Sequence, residues 1–216
     1  MSTSFSKSAN NRQNGKHQVR ERRTSILVTA EKLFLQNGLE KTSMVDIARA
    51  AGITKVTLYR YFSDREPIAN EIAEQMLNKI AAAADIQGQG LSLESLKKMA
   101  QAMIKNFHNL HDAYRLIGMV GQLYGDRYPN DSLAGWFERY IFTVGGNEIN
   151  YHDIVQSVPQ GKQIVMIFNT LMSFLERMAS RNELLSGEQE VTLDNQLNLF
   201  SEMISSYFDQ LMEGKP

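Results

Sequence analysis

The stretch TSMVDIARAAGITKVTLYRYF, residues 42–62, decides the fold. Thr42 and Ser43 are both good helix N-cap types. Ile47, Ala48 and Ala51 follow at helical spacing until Gly52 breaks the run. A further helix starts after Thr54 and runs to about Tyr61. Two short helices about a tight glycine turn read as a helix-turn-helix. The helices cross steeply, so Ala48 falls where they approach and a larger side chain would clash. Gly52 occupies the turn, where a positive φ is expected and glycine adopts it cheaply. Ile47, Ala51, Ile53 and Leu58 supply the buried side, and Phe62 packs against the chain's first helix, which lies before this stretch.

With Leu58 pointing inward, Lys55, Val56, Thr57, Tyr59, Arg60 and Tyr61 are left near the start and outer face of the second helix. A recognition helix uses such residues to meet base edges in the major groove. Thr57 can donate or accept, and Val56 can touch a thymine methyl. Lys55, Tyr59 and Tyr61 suit phosphate oxygens, which set register. Thr42 and Ser43 can offer hydroxyls and free backbone N–H groups to another phosphate.

Charge supports this reading. Residues 1–65 hold 12 Lys/Arg and 5 Asp/Glu, a net +7, whereas the rest holds 11 and 19, a net −8. A basic segment joined to an acidic one points to a polyanionic partner. The chain has no cysteine among its 216 residues. Disulfides, thiolate catalysis and Cys-based metal sites are thereby excluded. The sequence has no apolar run long enough to span a bilayer and no signal-peptide centre at its start, so a cytoplasmic protein without a membrane partner is expected.

Around the motif, residues 1–18 read as a disordered basic arm. Ile26, Ala30, Leu33 and Phe34 mark a helix from Arg20 to an Asn37-Gly38 stop. Ser63 to Glu66 reads as a capping box opening a long helix through Ile68, Ile72, Met76 and Ile80 to about Ala84, with Pro67 in its first turn. Residues 87–90 (QGQG) read as a loop. Further helices are expected at about 92–109, 112–125, 131–143, 162–181 and 193–213, with 144–160 irregular. The fold class is all-α. The expected divisions are the arm at 1–18, a three-helix helix-turn-helix domain at 19–65, and a helical domain at 66–216.

TSMVDIARAAGITKVTLYRYFSDRE resembles the DNA-binding segment of the TetR family of bacterial transcriptional regulators. The likeness covers roughly residues 20–68: Phe34 and Gly38, Thr42-Ser43, Ile47-Ala48, Ala51-Gly52-Ile53 and Thr57-Leu58-Tyr59-x-Tyr61-Phe62. It implies DNA contacts at Thr42, Lys55, Val56, Thr57, Tyr59 and Tyr61, and a phosphate contact at Arg65. Val56 stands where the family commonly has Gly, Pro or Ala, and Pro67 where it has a helix former. The resemblance also implies that residues 66–216 bind a ligand and form a homodimer.

Two apolar stripes suit a four-helix dimer bundle. Ile164, Ile167, Phe168, Leu171 and Leu175 form one; Leu193, Leu197, Phe200, Ile204, Phe208 and Leu211 form the other. Met103, Phe107, Met119, Leu123, Trp136, Phe137, Tyr140 and Met172 are candidates to line an apolar pocket, or equally plain core. His108 and His111 with Asp112 lack a clear third ligand, so no metal and no cofactor is expected. The functional expectation is a regulator, a repressor, that binds a palindromic double-stranded DNA operator as a homodimer and is released by an apolar or amphipathic small-molecule effector. Two alternatives stay open: an architectural DNA-binding protein that senses no small molecule, and an all-α enzyme.

Overall fold

The structure, a computed structural model, describes residues 4–84, 92–124, 143–144, 147–148, 160–180 and 192–214. Among these are eight helices: α1 (Ser4–Asn37), α2 (Met44–Ala50), α3 (Lys55–Tyr59), α4 (Arg65–Ala83), α5 (Leu93–Lys105), α6 (Phe107–Tyr124), α7 (Gly161–Ser180) and α8 (Leu193–Met212). Two two-residue strands, β1 (Thr143–Val144) and β2 (Asn147–Glu148), pair antiparallel, with Thr143 opposite Glu148. The all-α expectation holds apart from this ladder. Thr143 was expected to end a helix; as a β-branched residue followed by valine it suits a strand. The remainder of the helix expected at 131–143, the loop at 87–90, and most of 144–160 lie outside the described residues. The chain forms two compact units, Met1–Ile72 and Ala73–Pro216, divided within α4.

In the first unit, α1 begins at Ser4, so residues 4–18 are helical where the sequence predicts a disordered arm. Once α1 is nucleated by its packed segment, each added residue gains a hydrogen bond without a new nucleus. Ile26, Leu27, Ala30 and Phe34 are buried, together with Ile47 and Ala48 of α2, Leu58 of α3, Phe62, and Ile68, Ala69 and Ile72 of α4. Gly38 (φ +86°) stops α1 and Gly52 (φ +64°) turns the chain between α2 and α3. Open space surrounds both, so the backbone angle, not crowding, calls for glycine.

Caps set the helix starts. Ser43 and Asp46 form a full capping box on α2, and Thr54 Oγ1 accepts from Thr57 N–H at 3.1 Å on α3. The bonds from the Ser43 side chain and backbone hold the exposed Asp46 carboxyl below its usual pKa. The box expected at Ser63 is replaced by Asp64, whose Oδ1 accepts from Glu66 N–H at 2.8 Å. Because α4 starts at Arg65, Ser63 lies one residue too early to cap it.

Two arginines tie the unit together. Arg23 Nε donates to both carboxylate oxygens of Glu71 on α4 at 3.1 Å, and Nη2 donates to Glu71 Oε2. Its Nη1 donates to Tyr61 O at 3.0 Å, and its guanidinium lies 4.1 Å from the Phe62 ring centroid. Arg65 Nη1 donates to the carbonyls of Leu39 (2.9 Å), Glu40 (2.8 Å) and Thr42 (3.1 Å). One arginine thus joins α1 to α4 and to the residues after α3. The other joins the start of α4 to the α1–α2 loop.

In the second unit, α6 packs on α7 and α5 on α8. Phe107 stacks on Tyr114 with ring centroids 5.7 Å apart, Phe168 meets Phe208 edge-on, and Phe174 stacks on Phe200 at 4.0 Å. Tyr114 donates to Met103 O at 3.3 Å, and burial pushes its phenol pKa up. The break between α5 and α6 falls at Asn106 rather than near residue 110. Asn106 Nδ2 donates to Ala102 O (2.9 Å) and Ala83 O (3.2 Å), which ends α5 early. Glu176 of α7 lies over Gly118 of α6, where a Cβ would stand 3.4 Å from Glu176 Cβ. Burial there raises the Glu176 carboxyl to about 7. No helix of the described residues is long and apolar enough to cross a membrane.

Two outcomes are expected. Arg23→Ala removes a charge-assisted set of bonds that joins separate elements, and should cost the first unit about 2 kcal/mol. Native-state hydrogen exchange would read this as a roughly thirtyfold loss of protection in α1 and the first turns of α4. Arg23→Lys, which cannot span the same partners, should recover less than half of it. Glu176 binds its proton more tightly when folded (about 7) than when unfolded (about 4.5). Stability is therefore lost as pH rises through that window, by up to about 3 kcal/mol. Glu176→Gln has no proton to lose, so its thermal midpoint should fall less than the parent's between pH 5 and 8. Parallel curves for the two proteins would contradict the assignment.

Candidate nucleic-acid interface

Thr54 caps α3 and Leu58, fully buried, anchors it, so Lys55, Val56 and Tyr59 of this five-residue helix turn outward. Lys55 and Arg60 are exposed, Val56 is 75% exposed and Tyr59 44%. Lys55 Nζ sits 5.6 Å from the Tyr59 ring centroid, which holds the cation and the ring as a pair. Thr57 is half-buried and its Oγ1 shares a 2.8 Å hydrogen bond with Thr54 Oγ1. Tyr61 is half-buried, with its carbonyl taken by Arg23. Lys55, Val56, Tyr59 and Arg60 therefore make up one solvent-facing surface of mixed basic, apolar and phenolic character.

Three expected phosphate ligands are otherwise engaged. Thr42 is 1% exposed and its hydroxyl donates to Gly38 O at 2.9 Å, so it closes the α1–α2 loop rather than facing solvent. Ser43 is exposed, but its hydroxyl donates to Asp46 Oδ2 at 2.5 Å and accepts from Asp46 N–H at 3.2 Å. Arg65 directs Nη1 at three carbonyls of its own chain. In each case a local backbone group in need of a partner lies within reach, and a short or forked side chain satisfies it first.

Arg23 escaped the sequence reading as a site-shaping residue. Its signal was its place on the inward face of α1, in register with Ile26, Leu27, Ala30 and Phe34. An arginine on a core-facing stripe needs an acceptor, and Glu71 with the Tyr61 carbonyl provides it. Arg60 is likewise exposed at the end of α3, next to Tyr59.

The other candidate sites fare differently. Ile164, Phe168, Leu171, Leu175, Leu197, Ile204 and Phe208 are buried within the chain's own second unit, and Phe200 is half-buried against Phe174. These stripes pack within the chain's own second unit. The large apolar side chains exposed on α7 and α8 are Met166 (60%), Leu199 (58%), Met203 (58%) and Met212 (40%). Of the pocket candidates, Met103, Phe107 and Met172 are buried, Met119 and Leu123 are partly exposed on α6, and Trp136, Phe137 and Tyr140 lie outside the described residues. His108 and His111 both sit in the first turns of α6. His108 Nε2 meets Asp194 Oδ1 at 2.7 Å and His111 Nδ1 meets Asp112 Oδ1 at 3.3 Å. Among the described residues no three metal-ligating side chains converge on a metal-sized site.

The family model for bacterial regulatory proteins of the tetR family matches residues 26–72, from Ile26 in the second half of α1 to Ile72 of α4. The HTH-type transcriptional regulator AcrR of Shigella flexneri is 41% identical over 59 residues, which is 27% of either chain. The HTH-type transcriptional repressor KstR2 of Rhodococcus jostii is 33% identical over 99 residues, 44% of this chain and 48% of that one. The chain thus spans less than half the length of these two curated relatives. A TetR family transcription regulator from Marinobacter aquaeolei VT8 shares the fold, with a TM-score of 0.59 over 88% of this chain and 97% of the other at 18% identity. The helix-turn-helix segment, residues 26–72, is thus that of the TetR family of bacterial regulatory proteins, and the helical fold is shared with a solved regulator of that family.

Proposed function

We propose that the chain is a DNA-binding transcriptional regulator, a repressor, that binds a palindromic operator as a homodimer and is released by a small-molecule effector. The observation that carries this reading is the outward surface of α3, where Lys55, Val56, Tyr59 and Arg60 face solvent on a segment of net charge +7. α3 enters the major groove, with Lys55, Arg60 and the Tyr59 hydroxyl supplying phosphate contacts. Thr57 retains capacity for one further hydrogen bond to a base edge. Thr42, Ser43 and Arg65 act from behind, by fixing the α1–α2 loop and the starts of α2 and α4.

A second copy docks through the exposed side of α7 and α8. Leu199, Met203, Ser206 and Gln210 recur at helical spacing on α8, and Leu199 and Met203 are apolar side chains left in water. Effector action runs through α4, the helix both units share. Because Glu71 and Arg65 tie its first two turns to the rest of the first unit, a displacement of α4 carries α3 with it. The effector must bind one of two arrangements more tightly than the other, since equal affinity would shift nothing. Repression is supported by the similarity to KstR2 of Rhodococcus jostii, a transcriptional repressor.

Two measurements test the reading. Against a duplex selected from a random library, Lys55→Ala and Tyr59→Ala should each weaken binding about tenfold, and Lys55→Ala should lower the salt-dependence slope by about 1. Unchanged affinity in both variants would remove α3 from the interface. For the dimer, the double variant Leu199→Glu with Met203→Glu should sediment as a monomer at micromolar concentration with its helical content intact. A dimer that persists in that variant places the subunit contact elsewhere.

A further inference from the structure

The chain has 11 methionines and no cysteine, so thioethers are its only sulfur. Met44, Met76, Met99, Met103, Met172 and Met178 are buried. Two exposed methionines share α8, and their surroundings differ. Met203, 58% exposed, falls on the side where Leu199, Met203, Ser206 and Gln210 recur at helical spacing, one turn from the exposed Leu199. Met212, 40% exposed, lies nine residues further on, about two and a half turns, and so on the opposite side of the helix. A flexible thioether suits a surface that must fit against another. It is also the side chain on that side of α8 that an oxidant converts most readily.

We infer that Met203 is an oxidation site through which a hydroperoxide weakens the self-association of this chain. This rests on the proposed subunit contact through the exposed side of α8. The thioether sulfur attacks the outer oxygen of the hydroperoxide, so that an S–O bond forms and the O–O bond breaks. Sulfur loses two electrons and the peroxide gains them. The hydroxyl proton of the peroxide moves to the departing oxygen, which leaves as water or an alcohol. The sulfoxide carries a strong acceptor where an apolar thioether stood. In a dissociated chain, water bonds to that oxygen. Against the Leu199 and Met203 of a second copy it loses the water, and burying an unmatched acceptor is costly. Because assembly covers Met203, oxidation takes place on dissociated chains and holds them apart. Reversal requires a dithiol-dependent reductase, since this chain has no thiol of its own. Peroxide is then a second route, besides an effector, to release of a dimer-bound operator.

The test uses the full chain with hydrogen peroxide as the oxidant, and compares each protein with itself before and after treatment. By sedimentation, the dimer dissociation constant of the parent should rise about tenfold on treatment, with helical content unchanged by circular dichroism. Methionine sulfoxide reductase with a dithiol should restore it. Met203→Leu has an apolar side chain without sulfur, so its dissociation constant should move less than about twofold on treatment. Peptide mapping of the parent by mass spectrometry should find Met203 oxidised about tenfold faster than the buried Met76 and Met99. Raising the protein concentration from below to above the dissociation constant should slow oxidation of Met203 about tenfold and leave that of Met212 unchanged. A parent dimer indifferent to peroxide, or an equal weakening in Met203→Leu, overturns the inference while leaving the subunit contact in place. A parent that sediments as a monomer throughout, or a Met203 oxidation rate that does not fall with concentration, overturns that contact and the inference with it.

Discussion

The Arg23–Glu71 pair is the constraint on which the first unit turns. A guanidinium is planar, keeps its charge and has donors in a fixed fork, so it can bind a carboxylate through two edges while its face rests on an aromatic ring. Arg23 uses all of this: Glu71 at the fork, the Tyr61 carbonyl at a remaining N–H, and Phe62 under the plane. The consequence is geometric. The residues that follow α3 are held against α1 and α4 at once, so α3 cannot tilt without breaking several bonds of one side chain. α3 has only five residues and is too short to be stable by its own hydrogen bonds. Its orientation is borrowed from α1 and α4.

Arg65 repeats the device at the other end of the motif. It satisfies three carbonyls in the loop leaving α1, and Thr42 closes the same loop from within. Buried or half-buried carbonyls are costly to leave unmatched. Polar side chains that look available for an external phosphate are therefore taken by the loop they sit in. On α3 and its C-cap, the side chains that face water are Lys55, Val56, Tyr59 and Arg60.

The second unit follows a different rule. Its helices bury their strongest apolar stripes against one another, α6 on α7 and α5 on α8, with stacked rings at the crossings. The neighbouring side of α8 leaves Leu199 and Met203 exposed to water. Glu176, held over Gly118 with its carboxyl raised to about 7, is a local cost in that core and makes it sensitive to pH.

Local pattern alone determined the helices and their stops wherever a strong signal existed: Gly38 and Gly52 at positive φ, Thr54 as a cap, Leu58 inward, and the outward set on α3. These depend on neighbours within a turn, which a sequence displays directly. The helix-turn-helix and its family were legible for the same reason. Tertiary structure decided what the periodicity left degenerate. An apolar stripe has the same spacing whether it faces its own domain or a second subunit, so Phe168, Leu171 and Phe208 could be assigned only once α6 and α5 were seen to cover them. Likewise a threonine, serine or arginine beside a helix start carries the same hydrogen-bonding groups whether it meets phosphate or its own backbone. Thr42, Ser43 and Arg65 meet carbonyls and a carboxylate that folding placed within 3.2 Å. Partners distant in sequence, 48 residues in the case of Arg23 and Glu71, leave no local trace; only the fold brings them together.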